Sequence, residues 1–238
     1  MAGETIKSEA ICLDVRPWSR TSHVVSWLTP EGKVATVVKG AVRAKSQFLG
    51  QYDLNYTCDI LYYARAKGEL HALRECVPVE MREELRGDYR KLALAGYFRR
   101  LVAELAPMGE ECRAWYELLG RALEDMRPKT EDLIRFELEV LRLSGLAPDF
   151  SKFGKTSEWS AFSIETGMFG DGEGRCIRVS REVAEYLANG AKNAESLQVP
   201  LDAARVIGVF YQFHLDCASD VRRAVLGLIS QREGEGRV

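Results

Sequence analysis

Val34-Ala35-Thr36-Val37-Val38-Lys39-Gly40-Ala41-Val42-Arg43-Ala44-Lys45-Ser46-Gln47-Phe48 is the stretch that decides how the first third of the chain folds. Its opening β-branched run, residues 34–38, reads as a strand. Lys39-Gly40 closes that run, and Arg43 and Lys45 follow with no acidic residue among them. A strand therefore delivers three cations onto a loop, with Gly40 letting the backbone turn or approach a ligand closely. In outline this is a phosphate cradle. Three cations on a loop most commonly mean an ordinary solvated surface, so the flanking sequence has to decide.

Upstream, residues 8–16 alternate, with Ile11, Leu13 and Val15 on one face and Cys12, Asp14 and Arg16 on the other. This is the period of a half-buried strand. Pro17-Trp18-Ser19-Arg20 interrupts it, and a second strand is expected over 23–28. Thr29-Pro30-Glu31-Gly32 carries Pro and Gly at the second and fourth positions of a type I turn. A hairpin into a strand over 33–39 follows. Downstream, residues 53–63 alternate again, Ala64-Arg65-Ala66-Lys67-Gly68 is a turn, and residues 69–75 read as a fifth strand. Five strands without an intervening helix predict a small antiparallel barrel or sandwich over 1–80.

The period then becomes helical and marks a second domain over 81–238. Leu85, Tyr89, Leu92, Tyr97 and Leu101 share a stripe from Met81 onward until Pro107-Met108-Gly109-Glu110 breaks it. A helix over 112–126 carries Trp115, Leu118, Leu119 and Leu123. Thr130 suits an N-cap, with Glu131 and Asp132 in the positive first turn of a helix ending at Ser144-Gly145-Leu146-Ala147-Pro148. Residues 149–175 read as an irregular insertion rich in Gly, Ser and Phe. Helices over 180–187, 201–217 and 220–230 close the chain, followed by a polar tail. The fold class expected is α+β, a five-stranded barrel followed by a mostly helical domain.

The chain has 238 residues, 46% hydrophobic and 29% charged, which is enough to bury a sizeable core. No run approaches the ~18 apolar residues of a membrane span, and the N-terminus lacks an apolar signal core. A cytoplasmic protein with no membrane role is expected. The cysteines at 12, 58, 76, 112, 176 and 217 form no Cys-x-x-Cys pair, and the three histidines are scattered, so reduced thiols and no zinc site are expected. A net charge of −2 confines any nucleic-acid surface to a local patch.

Catalysis finds no support. The nucleophile-elbow, phosphate-loop and His-Glu-x-x-His motifs are missing, and His23, His71 and His214 stand isolated. Glu131, Asp132, Glu137 and Glu139 alternate with Arg135 and Arg142, as on a solvated helix face. The expectation is a protein that is not an enzyme and has no small-molecule substrate. Binding is better supported. Arg16, Lys33, Lys39, Arg43 and Lys45, with Trp18, Trp27, Phe48 and Tyr52 nearby, combine cations for phosphates with rings for bases. Trp27 lies in an apolar strand and suits the core, while Trp18 beside a proline is open to either role.

The order of landmarks resembles the RecO family of bacterial recombinational repair proteins. The similar segments are Ala10-Ile11-Cys12-Leu13 with Arg16, Ser22-His23-Val24-Val25-Ser26-Trp27-Leu28-Thr29, Glu31-Gly32-Lys33, Lys39-Gly40-Ala41-Val42-Arg43 with Lys45-Ser46, and Gly68-Glu69-Leu70-His71-Ala72-Leu73. Later come Leu143-Ser144-Gly145-Leu146-Ala147-Pro148 and Phe162-Ser163-Ile164-Glu165-Thr166-Gly167. The resemblance implies an oligonucleotide-binding (OB) barrel and then a helical domain. It also implies binding of single- and double-stranded DNA, strand annealing, and recombinase loading with RecR and the single-stranded-DNA-binding protein. DNA contact is carried over to Lys39, Arg43 and Lys45, with Arg16, Arg20 and Lys33 as further candidates.

Two departures from the family pattern stand out. Many members open a four-cysteine zinc site with Cys-x-x-Cys-Gly, where this chain has Phe150-Ser151-Lys152-Phe153-Gly154. Met168-Phe169-Gly170-Asp171 stands where the second pair is expected, so the resemblance implies a metal-free version of the 149–176 insertion, packed on apolar side chains. The basic segment expected after Tyr211-Gln212-Phe213-His214 contains Asp216 and Asp220, leaving Arg222 and Arg223 as candidates for a partner surface. The alternative reading is a protein–protein adaptor whose barrel no longer handles nucleic acid.

Overall fold

The computed structural model describes residues 4–65, 70–107, 111–153, 158–170, 172–192, 194, 196–215, 217 and 219–235, with side chains to 230. Ala66, Lys67, Gly68 and Glu69 of the expected turn and strand start lie outside the described residues. So do Met108, Gly109 and Glu110 of the helix break, and Gly154, Asp171 and Asp216. Two compact units form: Met1–Tyr89 with Phe98–Asp125, and Arg90–Tyr97 with Met126–Val238.

The first unit is built on five strands, β1 (Thr5–Ser19), β2 (Ser22–Thr29), β3 (Gly32–Val38), β4 (Thr57–Tyr63) and β5 (Leu70–Glu80). They close into a barrel in the order β1-β2-β3-β5-β4, with β3 and β5 parallel and every other pair antiparallel. A closed five-stranded barrel of this kind is the OB-fold architecture. Alternation explains its core. Cys12, Val25, Trp27, Val38, Cys58 and Ile60 point inward with exposures at or near zero. The Trp27 indole N–H donates to Thr36 Oγ1 at 2.9 Å, which satisfies the one polar group that a buried tryptophan brings.

Four sequence expectations for the barrel change. The barrel is not wholly antiparallel, because closing it sets β5 beside β3 in the same direction. Pro17 and Trp18 do not end β1, which runs on to Ser19. Beyond Cys12, whose backbone still bonds to Asn55 and Tyr56, β1 pairs with β2 alone, because β4 matches only Thr5 to Ile11. Proline is tolerated on such a one-sided edge, where its missing N–H can face away from the ladder. β4 starts at Thr57 rather than 53, because Asn55 adopts a left-handed φ of 68° and Tyr56 N–H turns back to Asp53 O. β5 continues to Glu80.

Helix α1 (Tyr89–Leu105) begins only after a 3-10 turn at Glu83–Leu85, later than the apolar stripe predicts, because Arg82 sits in the left-handed region at φ 51°. From Phe98 onward α1 belongs to the first unit, and α2 (Arg113–Glu124) packs there on β2. Arg99 Nη1 donates to Leu13 O, Lys33 Nζ to Ala103 O at 2.9 Å, and Cys112 N–H to Pro30 O at 2.9 Å.

The second unit holds α3 (Thr130–Leu143), α4 (Arg181–Ala188), α5 (Gln198–His214) and α6 (Ser219–Glu235). Thr130 is the first helical residue of α3 and Lys129 occupies the cap, so the expected cap moves by one position. At the other end Gly145, with φ 72°, and Leu146 N–H bonding to Leu141 O make the stop that Gly-then-Pro predicts. Residues 149–175, expected to be irregular, contribute most of a three-stranded sheet: β6 (Trp159–Ser163), β7 (Phe169–Gly170) and β8 (Cys176–Ser180), in the order β7-β6-β8. Ser180 then caps α4, accepting from Val183 N–H at 3.3 Å.

Glu137 departs most sharply from its sequence reading. It was expected on a solvated face and is fully buried. Arg222 grips it with Nε at 2.7 Å and Nη2 at 2.9 Å, and Tyr97 Oη donates to the same carboxylate at 2.6 Å. Arg222 Nη2 also donates to Ala204 O at 2.8 Å. The guanidinium expected on a partner surface is therefore committed to the interior, whereas Arg223 is exposed. Gly208 makes room for it: a Cβ there would lie 2.4 Å from Arg222 Nη1. Among the described residues no helix is long and apolar enough to cross a membrane.

Candidate nucleic-acid interface

The β1–β2 hairpin and the segment after β3 meet at one end of the barrel. Gly40 N–H donates to Ser22 Oγ at 3.2 Å, and Val42 N–H to Thr21 O at 3.4 Å. Successive turns carry the chain onward, with Arg43 N–H bonding to Gly40 O, Ser46 N–H to Arg43 O and Leu49 N–H to Ser46 O. Ala41 and Phe48 are buried in the barrel core and peg the segment at two points. The residues between the pegs, Val42, Arg43, Ala44 and Lys45, face solvent along with Lys39. Gly40 has a left-handed φ of 68°, and the stem of Arg43 lies back over it, 3.3 Å from where a Cβ would stand. A non-glycine residue would strain the turn and crowd that arginine.

Arg20 is exposed in the hairpin turn, and Arg16 projects from the outer face of β1 in register with Val24 and, beyond it, Val37. Arg16 is ion-paired with Asp14. Among the described residues no carboxylate pairs with Arg20, Lys39, Arg43 or Lys45. Five of the six predicted cations thus share one end of the barrel. Lys33 does not join them. It begins β3 some six residues from Lys39, about 20 Å along an extended strand, and its ammonium is spent on the Ala103 carbonyl. Burial holds its pKa below the usual lysine value.

Of the predicted aromatic residues, Trp27 and Phe48 are buried, and Tyr52 is half-buried with its hydroxyl 2.9 Å from His23 Nδ1. Trp18 is 63% exposed. Sequence reasoning missed Arg74, whose carbonyl accepts from Gln47 of the basic segment at 3.0 Å and whose guanidinium lies 5.5 Å from the exposed Tyr63 ring. No local pattern marks it, because only the β4–β5 pairing brings Tyr63 beside it.

His71 on β5 stacks its ring on Tyr62 of β4 at 5.3 Å, and its Nδ1 accepts the Arg65 N–H at 3.1 Å. Burial first, and the Arg65 charge second, hold its pKa below the ordinary 6.5. The unfolded chain therefore takes up this proton at higher pH than the folded one, so stability falls as pH drops below about 6.5 and is unaffected by this group above it. His71→Asn should flatten that part of a melting-temperature profile between pH 7 and 5. An unchanged profile would remove His71 as the cause.

In the second unit the rings of Phe150 and Phe162 stack at 4.9 Å, and Phe169 meets Phe162 at 5.3 Å and Phe153 at 5.1 Å. Phe150 and Phe153 stand where the resemblance would place zinc thiolates. Carbon rings offer a cation of that kind no donor atom, so these positions do not fit the metal.

The family described as "Recombination protein O N terminal" matches residues 1–82, and "Recombination protein O C terminal" matches 86–217. A protein of Alkaliphilus metalliredigens named DNA repair protein RecO is 31% identical over 174 residues, 68% of this chain and 70% of its own length. Like-named proteins of Moorella thermoacetica (29% over 60% of this chain and 54% of theirs) and Anaeromyxobacter sp. strain K (30% over 61% and 59%) are also similar. With family matches spanning both the barrel and the helical region, the chain belongs to the RecO family.

Proposed function

We propose that the barrel end carrying Arg16, Arg20, Lys39, Arg43 and Lys45 holds DNA phosphates. On this reading the chain is a non-catalytic mediator of recombinational repair. It binds single- and double-stranded DNA, anneals complementary strands and helps load recombinase with RecR and the single-stranded-DNA-binding protein. The observation that carries this reading is the pinning of the basic segment to the hairpin by Gly40 and Val42, which sets Lys39, Arg43 and Lys45 beside Arg20 without a paired carboxylate. The family relationship and the relatives' names support the repair context.

The mechanism is electrostatic. Each neutralised phosphate releases condensed counterions, and two strands held at one basic surface lose part of their mutual repulsion. No residue has to make or break a covalent bond. Phe150, Phe153, Phe162 and Phe169 supply by packing what zinc supplies in other members, so the protein works without a cofactor. It acts in the cytoplasm, where its DNA is. Fluorescence anisotropy with a labelled 20-residue single strand should show binding at low salt that weakens steadily as salt is raised. A chain that leaves the strand free at low salt would support the adaptor reading instead.

A further inference from the structure

We infer that Trp18 is a base-stacking platform that makes the basic end of the barrel prefer single-stranded over duplex DNA. The inference rests on the DNA-binding reading above and adds to it the kind of strand that the site selects. Cross-strand pairing between β1 and β2 runs Arg16 to Val24, Pro17 to His23 and then Ser19 to Ser22. The register slips between Pro17 and Ser19, and Trp18 is the residue left without a partner. A bulge of this kind re-aims a side chain out of the ladder. The result is an indole that is 63% exposed at the barrel end, beside a proline whose φ is fixed.

A large exposed ring is costly to keep in water, and elsewhere in this unit tryptophan is hidden. Trp27 is fully buried and Trp115 is 6% exposed. Trp159, in the other unit, is 50% exposed, but Arg178 lies over its ring at 5.3 Å. Among the described residues neither a ring nor a guanidinium covers Trp18. Its neighbours fit a nucleic-acid strand. Arg16 lies two residues before it and Arg20 two residues after it, and Lys39, Arg43 and Lys45 are held against the same hairpin through Thr21 and Ser22. Cations flanking one free aromatic face are what a single strand requires, because they track its phosphates while an unstacked base covers the ring. A base inside a duplex has both faces covered by its neighbours and cannot make this contact.

The test compares Trp18→Ala and Trp18→Phe on three labelled polymers of equal length: oligo-dT, an abasic phosphodiester strand and a duplex. Trp18→Ala should weaken oligo-dT binding by about 5- to 100-fold, from the usual worth of one stacked base. It should leave the abasic strand and the duplex within twofold, and Trp18→Phe should recover most of the oligo-dT affinity. An unchanged oligo-dT affinity, or an equal loss on the abasic strand, would overturn the platform while leaving the phosphate contacts standing. If the unaltered protein binds none of the three polymers, the DNA reading itself fails, and the platform with it.

Discussion

Arg222→Ala is expected to cost about 3–5 kcal/mol, the usual consequence of removing one partner from a buried ion pair. The cost comes from what is left behind. Glu137 is fully buried, and without the guanidinium its carboxylate keeps only the hydroxyl of Tyr97 as a side-chain donor among its named partners. One backbone link goes with it, because Arg222 also ties α6 to the Ala204 carbonyl, whereas the bond from Tyr211 to the Glu137 carbonyl at 3.3 Å does not involve the guanidinium. The double replacement Glu137→Leu with Arg222→Met should cost far less than the single one, since no charge is then stranded. Gly208→Ala, which would push on the same guanidinium, should cost about 1–3 kcal/mol as an overpacking change. Urea unfolding followed by circular dichroism reads all three. A loss of under about 1 kcal/mol for Arg222→Ala would mean that the pair is not the anchor described here.

The second large effect is on DNA. Substituting Lys39, Arg43 and Lys45 together by alanine should lower single-strand affinity on the order of a hundredfold at ~50 mM salt, with little dependence on sequence. Stability should change little, because all three are exposed and the segment is held by backbone hydrogen bonds and by Ala41 and Phe48. Lys33→Ala is the informative contrast. It removes one of the predicted cations from β3 itself, and one bonded to Ala103 O. Its expected signature is lost stability with DNA affinity retained.

Much of this was legible before any coordinates. The period of two in the first eighty residues marks all five strands, and the Thr29-Pro30-Glu31-Gly32 turn sets the β2–β3 register, because local alternation and turn chemistry decide both. Four features were not legible, each for a physical reason. Pro17-Trp18 reads as a strand end unless one knows that β4 releases β1 after Ile11, leaving an edge where proline and a bulge are harmless. Glu137 and Arg222 lie 85 positions apart, so each in isolation looks like a surface charge. Lys33 looks like a member of the basic set until α1 supplies its acceptor. The strands β6 to β8 are at most five residues long, too short for a period to emerge from a Gly- and Ser-rich background. The candidate site was readable as a list of cations. That hairpin and loop are pinned together, and that Trp18 is bulged out of the hairpin, needed tertiary contacts.

The central claim is that the segment after β3 touches phosphates, and the salt dependence of binding tests it most directly. Plotting log affinity for a labelled single strand against log salt should give a line for both the unaltered chain and the Lys39, Arg43, Lys45 triple variant. Three lost phosphate contacts should make the variant's line shallower by about 2, from roughly 0.7 per contact on single strands. Parallel lines, whatever their vertical offset, would contradict the claim.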